Sequence, residues 1–309
     1  MTKKLILCLI PFMLLTGCNK NKEEEQLGTF SFKVACPVGA PATAFYAHFA
    51  DPDLEVGNAD TVVAYLSNNS DKDAVVVPTN AGIAAINKGA NYKLAATITF
   101  GNFFLLATGN DADHTLNEGD KVLAFQQNGV PGKLFNYVYG DKQLDVTFLA
   151  DAPAVKNEVL TGSNTYDYIY LAQPVVTAVM SQKQNLSIYA NVQEDYKTKT
   201  NGLEITQASI FIKNDADHEN AKLFLEDLSN DVTRLLADPE NVLANATSSL
   251  EAEVVTGKLN GTVALVSKLL KNGNSLGLGF KYAKSNKAAI DAFISTLGLP
   301  ATSDSIYFE

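Results

Sequence analysis

Short apolar segments alternate with helical patterns in this 309-residue chain, and the alternation occurs in two successive series. The clearest unit is DAVVVPTNAGIAAINKG at residues 73–89, where a valine run stops at Pro78 and a helix of small residues follows at once. Continuous valine runs are typical of strands buried on both faces of a sheet, and intervening helices join parallel strands. We therefore predict an α/β fold with largely parallel sheets flanked by helices.

The two series and a helical C-terminal region can be assigned from the patterns of apolar residues. In the first series we predict strands over 30–38, 73–79, 92–100 and 103–109, helices over 40–51 and 81–89, and either a helix or an extended run over 61–70. In the second we predict strands over 120–126, 144–150, 166–172, 185–192 and 203–213, with helices over 129–141, 152–162 and 173–183. Three further helices are predicted over 218–238, 261–273 and 285–298, and the glycine-rich 272–279 is predicted to be a helix–helix connection.

The N-terminal residues have the pattern of a targeting segment. Lys3 and Lys4 precede the apolar run LILCLIPFMLL, which is too short for a comfortable membrane span. The following LTGC at 15–18 has the form of a bacterial lipobox, in which the cysteine is lipidated. We predict a lipoprotein signal peptide over 1–17, a palmitate-type anchor at Cys18 and a polar tether over 18–27. The alternative is an ordinary secretion signal with an incidental cysteine.

Net charge, apolar run length and cysteine count limit the classes of partner and the type of membrane attachment that we expect. The formal net charge of −10 excludes nucleic acid as an expected partner. No apolar run after the signal is long enough to span a bilayer, so we expect attachment at the extracytoplasmic face through the lipid alone. Of the three cysteines, Cys36 would remain as a buried thiol.

Metal and catalytic motifs are not found in the sequence. The three histidines, at positions 48, 114 and 218, form no H-x-x-x-H or H-E-x-x-H pattern, and no C-x-x-C or P-loop occurs. The segment GNSLG at 273–277 has the form G-x-S-x-G, but it does not follow a predicted strand as a nucleophile elbow would. The pentapeptide NDADH appears at 110–114 and again at 214–218, and we interpret both copies as polar turns. We predict no metal, no cofactor and no enzymatic activity.

Four stretches carry a resemblance to a known family: residues 33–45, 73–98, 146–162 and 166–180. Their order and spacing resemble the solute-binding proteins of ABC importers with the two-lobed type II periplasmic-binding fold. The branch most similar includes binders of sulfonates, nitrate and thiamine-pyrimidine precursors (NMT1/THI5-like). Relatives often have Glu before the proline where this chain has Gln173, which puts a carboxylate contact at that position in doubt.

The resemblance implies a domain organisation. Lobe 1 would comprise 28–118 and the mostly helical return 208–309, and lobe 2 would comprise 119–207. Two chain crossings, near 116–120 and 204–208, would form the hinge around a ligand cleft.

The resemblance also indicates where a ligand would bind. Ligands of parallel sheets sit beyond the carboxyl ends of the strands, where helix N-termini present free N–H groups and small residues permit close approach. The loops at these positions give the following candidate ligand-binding residues: Gly39, Ala40, Thr43, Thr79, Asn80, Ala81, Gly101, Asn102, Gln127, Asn128, Gly129, Val130, Tyr168 and Gln173. An alternative for such residues is plain helix capping.

The class of ligand is less determined. Arg234 is the single arginine and lies in a helical pattern away from the candidate loops, so a bidentate carboxylate clamp is not expected. We expect a neutral or aromatic solute, or a small anion such as a sulfonate held by helix N-termini. Lys133 is a weaker anion candidate. An aromatic stacking wall would draw on Phe45, Tyr46, Phe100, Phe103 and Tyr168, with Tyr166 and Asp167 at the rim.

The sequence thus predicts a monomeric, lipid-anchored substrate-binding component that works with ABC permease and ATPase subunits. Two alternatives remain. One is an enzyme on the same fold, as in menaquinone and thiamine biosynthesis, and the other is a surface lipoprotein that senses or adheres.

Overall fold

A computed structural model describes residues 32–67, 69–109, 115–162 and 165–309 of the chain. The predicted signal peptide, tether and lipidation site, and the first NDADH copy, lie outside these residues. The strands are β1 (Val34–Pro37), β2 (Leu54–Gly57), β3 (Ala74–Pro78), β4 (Tyr92–Thr99), β5 (Phe103–Ala107), β6 (Lys121–Phe125), β7 (Asp145–Leu149), β8 (Tyr168–Ala172), β9 (Ser187–Asn191), β10 (Ala208–Lys213) and β11 (Leu278–Tyr282).

Helices connect and cover these strands, and three short 3-10 turns occur at Tyr46–His48, Gly140–Lys142 and Asp304–Ile306. The α-helices are α1 (Ala40–Thr43), α2 (Ala59–Ala64), α3 (Thr79–Asn87), α4 (Val130–Tyr139), α5 (Ala152–Thr161), α6 (Val175–Met180), α7 (Val192–Lys199), α8 (His218–Ala237), α9 (Pro239–Thr247), α10 (Ala252–Leu259), α11 (Val263–Lys271) and α12 (Lys287–Thr296).

The strands form two sheets, and each sheet is the centre of one lobe. The first has the order β11-β4-β10-β3-β1-β2 and the second the order β7-β6-β8-β5-β9. In the first sheet β1 to β4 run in one direction, and β10 and β11 run against them. In the second sheet only β5 is reversed. The predicted α/β class with mostly parallel sheets is confirmed, and the reversed strands are those that follow the chain crossings or, for β11, return at an edge.

The residues of β3 are buried on both faces of the first sheet, as its valine run predicts. Val75 and Val77 belong to one cluster of buried side chains, whereas Ala74 and Val76 belong to another, because successive side chains of a strand point to opposite faces. One cluster packs under α8 to α11, and the other joins the first sheet to the second sheet and to α12. A polar side chain at any of these four positions would be buried away from water, whichever face of the sheet it points to.

The first predicted crossing is wrong. Residues 103–107 were assigned to lobe 1 with a crossing near 116–120, but β5 pairs with β8 and β9 in the second sheet. The chain therefore changes lobes in the three residues between Thr99 and Phe103. The short connection suggests a hairpin within one sheet, and the strand pairing shows that it is a crossing. The return lies between the end of α7 and the start of β10, over 200–207, and overlaps the predicted 204–208.

Some predicted elements differ in extent. The predicted helix 40–51 is a single turn of α1 followed by a 3-10 turn, and the predicted strand 203–213 begins only at Ala208. The glycine-rich 272–279 leads into β11, so it is a helix–strand connection and the prediction was wrong. The apolar patterns of the sequence did not predict the short elements β2, α7, α9 and α10.

The lobes also touch on one side. Helix α12, from the C-terminal part of lobe 1, packs against α4 of lobe 2. The Nζ atom of Lys133 donates a hydrogen bond of 2.9 Å to the carbonyl of Leu297 at the end of α12. At the return crossing, Gln193 Oε1 in α7 of lobe 2 accepts a hydrogen bond of 3.0 Å from the backbone N–H of Ile205.

Candidate functional site

A cleft of ≈ 480 Å³ lies where the two sheets face each other with their strand ends. Lobe 1 contributes the ends of β1, β3 and β4, the starts of α1, α2 and β10, and Asn260 after α10. Lobe 2 contributes the starts of β5, α4 and α6 and the ends of β6 and β8. The volume lies within the usual range for small-molecule sites, about 300–1,000 Å³.

The first loop from lobe 1 is shaped by Gly39. Its φ of 92° lies in the region that L-residues with a side chain rarely adopt, so this turn needs glycine. The Gly39 N–H donates to the carbonyl of Lys258, and the Thr43 hydroxyl donates to the Gly39 carbonyl at 3.0 Å. Gly39 and Ala40 line the cleft, whereas Thr43 is fully buried and serves the turn.

At the junction of β3 with α3, Thr79 makes internal contacts. The Thr79 hydroxyl pairs with Ser209 Oγ at 2.7 Å, and its backbone N–H donates to the carbonyl of Gln207. A Cβ on Gly82 would overlap the ring of Phe211, so this glycine admits a core side chain and not a ligand. Of residues 78–82, only Pro78 lines the cleft. The prediction that Thr79, Asn80 and Ala81 reach the ligand is therefore not supported by their placement.

The loop before α4 folds back on Gln126. The carbonyl of Gln126 accepts from the N–H groups of Gly129 and Gly132, at 2.9 and 3.2 Å. Gln126 has a φ of 50° and lines the cleft together with Val130 and Pro131. The predicted contacts at 127–129 lie next to this surface and are not part of the lining.

Asn102 and Gln173 join the entry of β5 to the exit of β8. The backbone N–H of Gln173 donates to the carbonyl of Asn102, and Asn102 Nδ2 donates back to the Gln173 carbonyl at 3.3 Å. Gln173 Oε1 accepts from the backbone N–H and the hydroxyl of Thr177, at 3.2 and 3.0 Å. The amide at position 173 thus caps α6, a role that needs no carboxylate. Both residues line the cleft although each is only 7% exposed.

The structure brings five of the fourteen predicted site residues into the cleft lining: Gly39, Ala40, Asn102, Val130 and Gln173. The other predicted residues lie elsewhere. Gly101 borders a separate recess, and Tyr168 is fully buried with its ring edge-on to Tyr189. Nine predicted residues are therefore outside this lining: Thr43, Thr79, Asn80, Ala81, Gly101, Gln127, Asn128, Gly129 and Tyr168.

Most of the predicted aromatic wall belongs to the core. Phe45 stacks near Phe224, and the Tyr46 hydroxyl accepts from Arg234 Nε at 3.1 Å. Phe103 alone of the five candidates lines the cleft. Asp167 accepts from the N–H of Lys121 at the opposite end of the second sheet, where β6 begins, so it is not a rim contact.

Gln207 and Asn260 line the cleft and were not predicted. Gln207 precedes β10, a strand that runs against its neighbours, so its start and not its end meets the cleft. Asn260 ends α10 with a left-handed φ of 52°, typical of asparagine after a helix, but its sequence neighbourhood gives no sign of a ligand loop.

His48 and Cys36 are both buried in lobe 1. Nε2 of His48 lies 3.2 Å from Asp231 Oδ2 in a partly buried contact, and the Cys36 thiol is buried, which raises its pKa. In the described ranges no group of three or more His, Cys, Asp or Glu side chains is arranged to hold a metal. None of the helices in those ranges is long and apolar enough to span a membrane.

Comparison with known proteins supports the fold. No family model and no curated protein matches the chain. Solved structures do: an ABC transporter protein from Parabacteroides distasonis, with a TM-score of 0.67 and 17% identity, covers 86% of this chain and 91% of its own. The periplasmic aliphatic sulphonate binding protein of Escherichia coli has a TM-score of 0.60 and 13% identity, covering 89% and 90%.

A third structure agrees with these two. The ligand binding component of an ABC-type import system from Staphylococcus aureus has a TM-score of 0.60 and 10% identity, covering 91% of this chain and 96% of its own. The similarity extends over nearly all of each chain, so it concerns both lobes. The resemblance predicted from the sequence is confirmed at the level of the fold: this chain has the two-lobed α/β fold of the solute-binding proteins of ABC importers.

Proposed function

We propose that this protein is the lipid-anchored, extracytoplasmic solute-binding component of an ABC importer. The observation that carries the proposal is the cleft between the lobes, which is lined by strand ends and helix starts from both sheets. A solute held there contacts both lobes at once. The similar structures support the general role, since those named above include import components and a binding protein.

Closure of the lobes follows from this arrangement. A ligand favours the conformation in which it makes the most contacts, and in a two-lobed protein that is the closed form. The chain crosses between lobes at 100–102 and at 200–207, so these two segments are the expected hinge. The closed form then docks on permease subunits, whose ATPase partners drive transport.

The lining of the cleft favours capture of a solute over catalysis. None of the described residues that border it is an acid, a base, a cysteine or a tyrosine. General acid–base and nucleophilic catalysis need such groups within reach of the substrate. A cleft of this volume is also open to a solute, which is less expected of a protein that only adheres.

Mass spectrometry of the purified protein tests solute capture. A small molecule should be released in stoichiometric amount on denaturation, and Ala59→Trp, which fills the cleft mouth, should abolish its retention. Ala244→Trp, at an exposed position of α9, is the matched control and should retain the molecule. Equal retention in both variants, or no release from the wild type together with no stabilisation by any small solute, would contradict the proposal.

The anchor is tested separately. Cys18→Ser should move the protein from the membrane fraction to the soluble fraction and abolish incorporation of an alkyne-labelled fatty acid. Continued labelling of the Cys18→Ser protein would contradict lipidation at this residue and leave solute capture unaffected.

A further inference from the structure

The cleft between the lobes has no charged lining. Every residue of the described chain that borders it is neutral, and five of them carry a carboxamide: Asn102, Gln126, Gln173, Gln207 and Asn260. Two lysines near in sequence to lining residues are engaged elsewhere. Lys133 Nζ donates to the Leu297 carbonyl, and Lys258 Nζ donates to the carbonyl of Phe49 at 2.6 Å. An anionic solute would therefore find no opposing side-chain charge.

The starts of α4 and α6 offer few free donors as well. Pro131 at the start of α4 carries no N–H, and the N–H groups of Gly129 and Gly132 are bound to the Gln126 carbonyl. At α6, Gln173 Oε1 takes the N–H of Thr177. Anion sites at helix N-termini depend on unpaired N–H groups, so these two helices are poorly suited to hold one.

Two residues of the lining instead carry a buried side-chain oxygen that has no donor. Asn102 Oδ1 is buried and has no hydrogen-bond partner, and the same is true of Gln207 Oε1. The orientation of the Asn102 amide is set by its neighbour, because Nδ2 donates to the Gln173 carbonyl and a flipped amide would place two oxygens together. Buried acceptors left unpaired are costly, and a bound molecule with N–H or O–H groups would satisfy both.

Much of the remaining lining is apolar. Phe103 and Val130 line the lobe 2 side, and Val38 and Ala208 line the lobe 1 side. Such a wall packs against the carbon skeleton of a solute while a few polar groups fix its orientation.

We propose that the solute is electrically neutral and donates hydrogen bonds from N–H or O–H groups to Asn102 and Gln207. This inference rests on the proposed solute-binding function. It assigns a different charge class from the sulphonate named for the Escherichia coli structure, because a deprotonated sulfonate has no donor to offer these oxygens.

Size-matched pairs that differ in charge test the proposal. Thermal unfolding is followed with methanesulfonamide against methanesulfonate, nicotinamide against nicotinate, and orotamide against orotate. We expect stabilisation by the neutral member of at least one pair, unchanged between low and high salt, and none by its anion. Stabilisation by anions alone, weakened by salt, would overturn the inference while leaving solute capture intact.

If none of these compounds stabilises the protein, mass spectrometry of the purified protein decides the question. If mass spectrometry then shows a solute released from the wild type, the charge of that molecule at neutral pH supports or overturns the inference. If no solute is released either, the proposed function itself is contradicted and the inference falls with it.

Substitution of Gln207 separates the two charge classes with the tightest-binding member of the panel. Gln207→Met removes the acceptor and should weaken a neutral donor about tenfold or more, whereas Gln207→Glu keeps acceptors and should retain its binding. Gln182→Met, at an exposed position outside the cleft, is the control. Retained binding in Gln207→Met with loss in Gln207→Glu is the pattern of an anion and would overturn the proposal. Circular dichroism establishes that each variant is folded.

Discussion

Replacing Gly82 by alanine should destabilise the protein, because the glycine makes room for Phe211. The Cβ added to Gly82 would overlap the Phe211 ring, and even the third nearest ring atom, Cε1, would be only 2.5 Å away. Phe211 is fully buried in β10 between β3 and β4, so the ring has nowhere to move and α3 must shift from the sheet. Overpacking of this kind costs about 1–3 kcal/mol, at the upper end for so close a contact.

The helix propensity of alanine opposes this cost. Alanine in place of glycine in a helix interior gains about 1 kcal/mol, so the expected net loss in free energy of unfolding is about 1–2 kcal/mol. Urea unfolding followed by circular dichroism measures it, with an unchanged m-value. Gly257→Ala is the matched control: Gly257 lies inside α10 with nothing within 4 Å of its added Cβ, and this variant should be more stable than the wild type. A Gly82→Ala protein as stable as the wild type would refute the packing argument.

Two further predictions concern polar contacts. Hydrogen bonds from Lys72 and Tyr65 lower the pKa of Glu55, so the stability that they contribute is complete above the unfolded pKa of about 4.3 and is lost as pH falls through the folded pKa. Glu55→Gln should therefore reduce the loss of urea-unfolding stability at acid pH, by about 1 kcal/mol or less for this partly exposed pair. The same acid loss in wild type and variant would contradict this prediction. Nζ of Lys133 contacts the Leu297 carbonyl and not the cleft, so Lys133→Met should leave binding of a stabilising solute unchanged. It should lower the free energy of unfolding by about 1 kcal/mol or less relative to the exposed control Lys88→Met. A large loss of affinity by calorimetry would show that this lysine reaches the solute.

The sequence predicts the strands and the general location of the cleft because these depend on local patterns. The valines of β3, buried on both faces, are visible as a continuous run, and Gly39, Ala40 and Val130 follow strand ends at the edge where ligands of parallel sheets bind. The small residues after β3 give the same pattern for a different reason, since Gly82 accommodates Phe211 from a strand more than a hundred residues away. Distant packing of this kind leaves no local mark.

The missed part of the site depends on strand direction. Gln207 lies at the start of β10, which runs against its neighbours after the second crossing. The rule that ligands sit at carboxyl ends therefore overlooks Gln207. It places Asn102 in the site as part of the loop after β4, and the strand pairing shows that this loop is the first crossing. Asn260 enters through the tertiary packing of α10 beside Gly39, whose added Cβ would lie 3.7 Å from that of Asn260.

A crystal structure of the protein purified with its co-purifying solute tests the central claim most directly. We predict density for one uncharged molecule between the lobes, with N–H or O–H groups within hydrogen-bond distance of Asn102 Oδ1 and Gln207 Oε1. A solute bound on another surface, or one held between the lobes by a charged group with these two oxygens still unpaired, would contradict the account.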